Sequence, residues 1–187
     1  MTSGSLDLKD VKKRMDGAVE VLRRELGGLR AGRASASLLD PITVHAYDSD
    51  MPLNQLASVS VPEPRLLTVQ VWDRNLVKAV EKAIRSSELG LNPQVEGNLI
   101  RIPLPELSEE RRAELVKVAH RYAEQARVAV RNVRRDAMDR LKRLEKEGAI
   151  SKDEHRRLAD EVQKLTDRHV EAINKLLEQK ERDIMTV

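Results

Sequence analysis

The chain has 187 residues, of which 35% are charged and 2% aromatic, with no Phe and no Cys. That length suits one domain or two modest ones, and the lack of Cys excludes disulfides and thiolate metal sites. Net charge is +3, yet Lys and Arg outnumber Asp and Glu by 12 to 8 over residues 109–147, by 7 to 5 over residues 1–32, and fall behind by 7 to 8 over residues 33–104. A basic surplus gathered on one segment is the electrostatic footprint of a nucleic-acid partner. The N-terminal Met1–Lys9 stretch lacks the apolar centre of a signal peptide, and no apolar run approaches the ~20 residues that cross a bilayer. A soluble, cytoplasmic protein without membrane contact is expected.

From Leu6 to Arg30 the apolar residues Val11, Met15, Ala18, Leu22, Leu26 and Leu29 recur at steps of four and three. The spacing predicts an amphipathic helix with a narrow seam, suited to a bundle. Gly27 and Gly28 weaken its end, either because another backbone approaches closely or because the last turn frays. Gly32 is expected as a left-handed cap. Residues 33–104 change period. Ile42–Tyr47, Ala57–Val61, Leu66–Trp72 and Asn98–Ile102 read as strands and Asn75–Ser86 as a helix, with Met51–Leu56 a loop and Leu89–Pro93 a turn. Pro62 and Pro64 are expected to stop the second strand, and Trp72 to fill the core. This reads as a small α+β insert.

Pro103 and Pro105 end the last strand. Ser108 is a good N-cap for a helix that nothing interrupts until Gly148. Ser151-Lys-Asp-Glu154 is a capping-box pattern for the next helix, where Leu158, Val162, Leu165, His169, Ala172 and Leu176 hold a heptad. The connection over 148–150 permits only an antiparallel turn. Three such helices cannot bury their seams alone. The fold class is therefore α+β: an antiparallel three-helix bundle from residues 1–30 plus 106–187, with residues 31–105 inserted as a β/α/β domain. The two crossings, Arg30-Ala31-Gly32-Arg33 and Pro103-Leu104-Pro105, are candidate hinges.

The stretch Glu124–Asp136 carries the strongest functional signal. At helical spacing Ala126, Val130, Val133, Ala137, Leu141 and Leu144 form one apolar stripe, with Leu115, Ala119 and Tyr122 extending it upstream. Arg127, Arg131, Arg134 and Arg135 gather beside it, with acids only at its ends. Guanidinium groups keep their charge and present a planar fork that fits two phosphate oxygens. Tyr47, Tyr122 and Trp72 do not interleave with these arginines, so the expected contact is with backbone phosphates and not stacked bases. Catalytic groupings are poor. His45, His120, His155 and His169 are scattered, and His169 is expected as a satisfied seam residue. Gly27–Gly32 lacks the end of a phosphate loop, and no serine stands in a nucleophile elbow. No enzyme, catalytic residue, metal or cofactor is expected. An alternative function is a coiled-coil scaffold or adaptor whose arginines bind an acidic protein partner.

Several motifs resemble the bacterial ribosome recycling factor family. They include Arg30-Ala-Gly-Arg-Ala-Ser35, Gln55-Leu-Ala-Ser-Val59, Leu89-Gly-Leu-Asn-Pro93, Arg101-Ile-Pro-Leu-Pro105, Glu124–Ala137 and Val162-Gln-Lys-Leu-Thr-Asp167. The resemblance covers nearly the whole chain. It implies an L-shaped two-domain molecule, bundle and insert joined by the two hinges, expected as a monomer. It also implies action after termination. The chain would bind the ribosome through large-subunit ribosomal RNA, and elongation factor G with GTP would drive subunit dissociation and release from mRNA, that factor hydrolysing the nucleotide. Arg131 and Arg134 match the family's RNA-contacting arginines. Arg127 and Arg135 follow from the helical wheel, and Arg30 and Arg33, which the motif retains, are expected at RNA as well. The Gly27-Gly28 pair stands where many members carry better helix formers.

Overall fold

A computed structural model describes residues 5–186. The reading of the N-terminus as free of a signal peptide falls partly on residues 1–4 and there lies outside the described residues. Elements follow in the order α1 (Leu8–Gly27), β1 (Thr43–Ala46), β2 (Ser49–Pro52), β3 (Ala57–Glu63), β4 (Leu66–Val71), α2 (Val77–Ser86), β5 (Gln94–Glu96), β6 (Leu99–Pro103), α3 (Glu109–Lys146) and α4 (Lys152–Met185). The chain forms two compact units. One takes the chain up to Arg23 with His120–Glu178; the other takes Arg24–Ala119 and the chain from Gln179 onward. The units thus divide within the three long helices.

The first unit is helical, with no strand among its described residues. Val11, Met15, Val19 and Leu22 of α1, Ala126, Val130, Val133, Ala137, Leu141 and Leu144 of α3, and Leu158, Val162, Ile173 and Leu177 of α4 are buried. Every residue of the α3 stripe named from the sequence within this unit is therefore core, apart from Tyr122, which is half-buried while Ala123 beside it is fully buried. α3 and α4 run antiparallel, because Arg127 meets Asn174, Arg134 meets Gln163 and Glu145 meets His155. Gly148 between them has φ +76°, the left-handed backbone that a glycine adopts without strain. Ser151 Oγ accepts from the Glu154 N–H at 3.1 Å and starts α4 as its pattern predicts.

The heptad on α4 is shifted. Its buried line runs Leu158, Val162, Thr166, His169, Ile173 and Leu177, while Leu165, Ala172 and Leu176 are only half-buried. A helix of 3.6 residues per turn drifts against a strict repeat of seven, and over 34 residues the facing line moves to the neighbouring position. Thr166 joins the core by donating its hydroxyl to Val162 O at 2.8 Å. His169 is a satisfied seam residue: Nδ1 lies 2.6 Å from Leu165 O and Nε2 2.7 Å from Asp16 Oδ1.

The second unit contains a four-stranded antiparallel sheet of order β3-β4-β6-β5 and the hairpin β1-β2. Leu67, Val69 and Val71 of β4 and Ile100 and Ile102 of β6 point into one core with Val44, Ala46, Val77, Val80 and Ile84. Two strands escape the sequence reading. β2 falls in and before the expected loop because Ser49-Asp50-Met51-Pro52 shows no apolar alternation; it is made by the turn at Tyr47 and Asp48, both left-handed at φ 49° and 65°. β5 is three exposed residues held only at β6. Pro62 does not stop β3. The strand lies on the sheet edge, and its register slips between Ser60 and Glu63, which absorbs the missing donor.

Two further expectations fail for geometric reasons. Trp72 is not core but 60% exposed, its Nε1 donating to Ser58 Oγ at 3.1 Å. The alternation along β4 buries residues 67, 69 and 71, so the next position faces out. Gly32 is not left-handed. A Cβ there would overlap the Thr186 carbonyl oxygen, and the Gly32 N–H donates to Asp183 O at 3.0 Å. The glycine is needed because the end of α4 passes directly over it. At Gly27-Gly28 the close neighbour is a side chain and not another backbone: a Cβ on Gly28 would collide with the Pro41 ring, and α1 itself ends at Gly27.

Candidate nucleic-acid interface

α3 presents the four arginines because Ser108 caps its start, where Oγ accepts the Arg111 N–H at 3.1 Å, and no Gly or Pro interrupts its 38 residues. The apolar stripe is turned to α1 and α4, which leaves the neighbouring arginine row along the α3 edge. Arg131 and Arg135 are exposed, Arg134 and Arg127 half-buried. They are not equivalent. Arg127 Nη1 and Arg131 Nη1 both reach Glu124, at 3.1 and 3.3 Å. The Arg127 hydrogen bond, with the charge of Arg131 behind it, holds the Glu124 carboxyl below the usual carboxylate range. Part of the row's charge is thus offset at its N-terminal end.

Arg134 and Arg135 form no ion pair with any described carboxylate. Arg134 Nε donates to Gln163 Oε1 at 2.8 Å, and Arg135 Nη2 donates to Asn132 Oδ1 at 3.1 Å. Neither terminal nitrogen of Arg134 has a partner among the described residues. An open groove of ≈ 500 Å³ lies beside Arg134 but not Arg135, lined by Arg131, Arg134, Gln163, Thr166, Val170 and Asn174 together with Asp167 and Glu171. The two acids sit on the α4 wall, so the positive side is the α3 wall.

The remaining candidates lie in the other unit. Arg33 is exposed. Arg30 is half-buried, and its guanidinium donates to the Pro105 carbonyl, which ties the segment 30–33 to 103–105. Burial, and then the neighbouring charges of Arg65 and Arg112, push the Arg30 pKa down. Its Nε is buried without a hydrogen-bond partner among the described residues. Ala31 is half-buried; Leu104 is buried, its N–H donating to Arg65 O at 2.8 Å; Pro103 pairs with Leu66 at the end of β6. The structure therefore brings the four α3 arginines together in one row and places Arg30 and Arg33 with the two crossing segments.

Sequence reasoning missed Arg112. It is only 6% exposed, and it donates to Leu107 O, Ile184 O and Thr186 O. It holds the carbonyl end of α4 without a described carboxylate partner. It also missed Gln163 and Asn174, the α4 amides that hold Arg134 and Arg127. Gln163 does lie in the Val162–Asp167 motif, four residues before Asp167, which is the spacing of side chains that touch on a helix. No group of three His, Asp or Glu side chains among the described residues is placed to hold a metal ion, and no described helix is long and apolar enough to cross a membrane.

The family model described as ribosome recycling factor matches residues 22–185. This chain belongs to the ribosome recycling factor family. It is 64% identical over 187 residues to a protein named ribosome-recycling factor from Xanthobacter autotrophicus, with all of both chains covered. A solution structure of a ribosome recycling factor shares 49% identity and a TM-score of 0.76, covering 98% of this chain and 100% of the other. A third match has 47% identity, a TM-score of 0.68 and covers 96% and 97% of the two chains. It comes from models for the T. thermophilus ribosome recycling factor and the E. coli elongation factor G bound to the E. coli post-termination complex. The chain thus shares the sequence and fold of that family, and the scaffold alternative is not favoured.

Proposed function

We propose that this chain acts on the ribosome after termination, as a factor without catalysis of its own. Its α3 row would lie against large-subunit ribosomal RNA, with Arg131 and Arg134 as the leading phosphate contacts and Arg127 and Arg135 beside them. Elongation factor G carrying GTP would then separate the subunits and free the ribosome from mRNA, the nucleotide being hydrolysed on that factor. The protein would work as a cytoplasmic monomer. The observation that carries this reading is Arg134: a guanidinium on the rim of a groove, free of any described carboxylate, with both terminal nitrogens available.

The division into residues 1–30 plus 106–187 and residues 31–105 is proposed as the functional one, with hinges at 30–33 and 103–105. The bond from Arg30 to Pro105 joins the two crossings, so a change of angle would strain that bond first. Arg33 is open to RNA as it stands, whereas Arg30 reaches RNA on release of Pro105.

The test is light scattering from bacterial post-termination ribosomes supplied with elongation factor G and GTP. Scattering should fall on addition of this chain, as ribosomes split into subunits. It should not fall when either protein or GTP is omitted. Unchanged scattering with all components present would contradict the reading.

A further inference from the structure

The four guanidiniums of the α3 row lean on either a carboxylate or an amide, Arg135 on Asn132 of its own helix. Arg127 and Arg131 lean on the carboxylate of Glu124. Arg134 leans on an amide: its Nε donates to Gln163 Oε1 at 2.8 Å. The other end of that amide is also engaged, because Gln163 Nε2 donates to Asp167 Oδ1 at 2.9 Å. A carboxylate can only accept. Asp167 therefore claims the NH2 end of Gln163 and turns its oxygen toward Arg134. The chain of hydrogen bonds runs Asp167, Gln163, Arg134, and the negative charge stays one amide away from the guanidinium.

We infer that Gln163 is a positioning residue for RNA binding: it grips Arg134 at Nε, so that the two terminal nitrogens stand as a pre-oriented fork for a phosphate while the full charge is kept. This rests on the reading of the α3 arginines given above. The choice of side chain decides the outcome. A carboxylate at 163 would grip Arg134 as well, but would cancel the charge that draws the phosphate. An apolar side chain would leave the charge and lose the grip. An arginine has several rotatable bonds, and fixing them at the moment of binding weakens affinity; fixing them beforehand removes that loss. Asn174 repeats the device at Arg127, accepting from Nε at 3.1 Å and Nη2 at 2.8 Å. There Glu124 also takes Nη1, so that fork is partly occupied. Arg134 is the one arginine of the row held at Nε by an amide and left with both terminal nitrogens free among the described residues.

The test compares Gln163→Met, Gln163→Glu and Arg134→Ala with the parent, binding to purified bacterial large ribosomal subunits across a salt titration. Thermal unfolding of each variant is recorded alongside. Gln163→Met keeps the length of the side chain and should melt like the parent. It should bind roughly three- to tenfold more weakly, the loss expected for one long side chain that must be ordered on binding. Its salt dependence should stay parallel to the parent's, because no charge has gone. Gln163→Glu should bind more weakly still, with a shallower salt dependence, by roughly one phosphate contact. If Gln163→Met melts early, Gln163→Asn replaces it: its amide is one methylene too short to reach, and the same weakening with a parallel salt line is expected. Parent-like affinity in a folded Gln163 variant, while Arg134→Ala is weakened, would overturn the inference. Parent-like affinity in Arg134→Ala would instead remove the arginine reading itself, and this inference with it.

Discussion

Arg134→Ala should lower affinity for the large ribosomal subunit by about 1.5–3 kcal/mol, roughly ten- to hundredfold, which is the range for a hydrogen bond between charged groups. The loss should fall on binding and not on folding. Among the described residues the Arg134 side chain bonds only to Gln163, and alanine is the best helix former. Helical content by circular dichroism should therefore match the parent. Arg131→Ala should be milder, because Arg131 already shares Glu124 with Arg127 and gives up that ion pair in order to bind. Equilibrium binding of labelled protein to isolated subunits ranks the two. Equal losses would mean that Glu124 does not compete with RNA for Arg131.

Gly32→Ala is the second large effect, and it falls on the fold. The added methyl would meet the Thr186 carbonyl oxygen, and its neighbour Asp183 O accepts the Gly32 N–H. Both partners are backbone, so neither can swing aside as a flexible side chain would. The cost is that of overpacking, about 1–3 kcal/mol. The region affected includes the other bonds that hold the α4 end: Arg112 on Ile184 O and Thr186 O, and Lys180 Nζ on Leu29 O at 2.6 Å. Burial of that ammonium pushes the Lys180 pKa down. Thermal unfolding should shift down by several degrees, and amide exchange at the last turns of α4 should accelerate. An unshifted transition would show that the chain moves away from Gly32 at little cost.

Local signals made the bundle legible. The α3 stripe, the Ser108 and Ser151 caps and left-handed Gly148 each depend on residues within a few positions of one another, so period and capping chemistry suffice to find them. The β4 and β6 cores were legible for the same reason, since alternation is a property of the strand alone. What escaped depends on a distant partner. β2 exists because β1 lies beside it. Trp72 is the exception, because the alternation that buries residues 67, 69 and 71 already turns it outward. Gly32 answers to Thr186, more than 150 residues later. The α4 seam moved from Leu165 to Thr166 because the facing helices, and not the heptad, set the buried line.

The site was half legible by the same logic. A row of arginines on one helix face is visible in sequence, and all four do stand together on α3. Which of them is offset is not visible. Glu124 lies within reach of two, while Gln163 and Asn174 arrive from a different helix. Arg30 illustrates the limit from the other direction. Its motif marks it as a candidate, but only the folded chain sets its guanidinium on the Pro105 carbonyl.

The most direct measurement of the central claim is the salt dependence of binding to large ribosomal subunits, for the parent and for a variant with Arg127, Arg131, Arg134 and Arg135 all replaced by Gln. Glutamine is a good helix former and stays polar while removing the charged fork. The parent should give a linear fall of log affinity with log salt. The variant should give a shallower line, its slope smaller by roughly 0.7–0.9 for each phosphate that the arginines neutralise. Two parallel lines would contradict the account, for they would mean that these guanidiniums do not meet the RNA backbone.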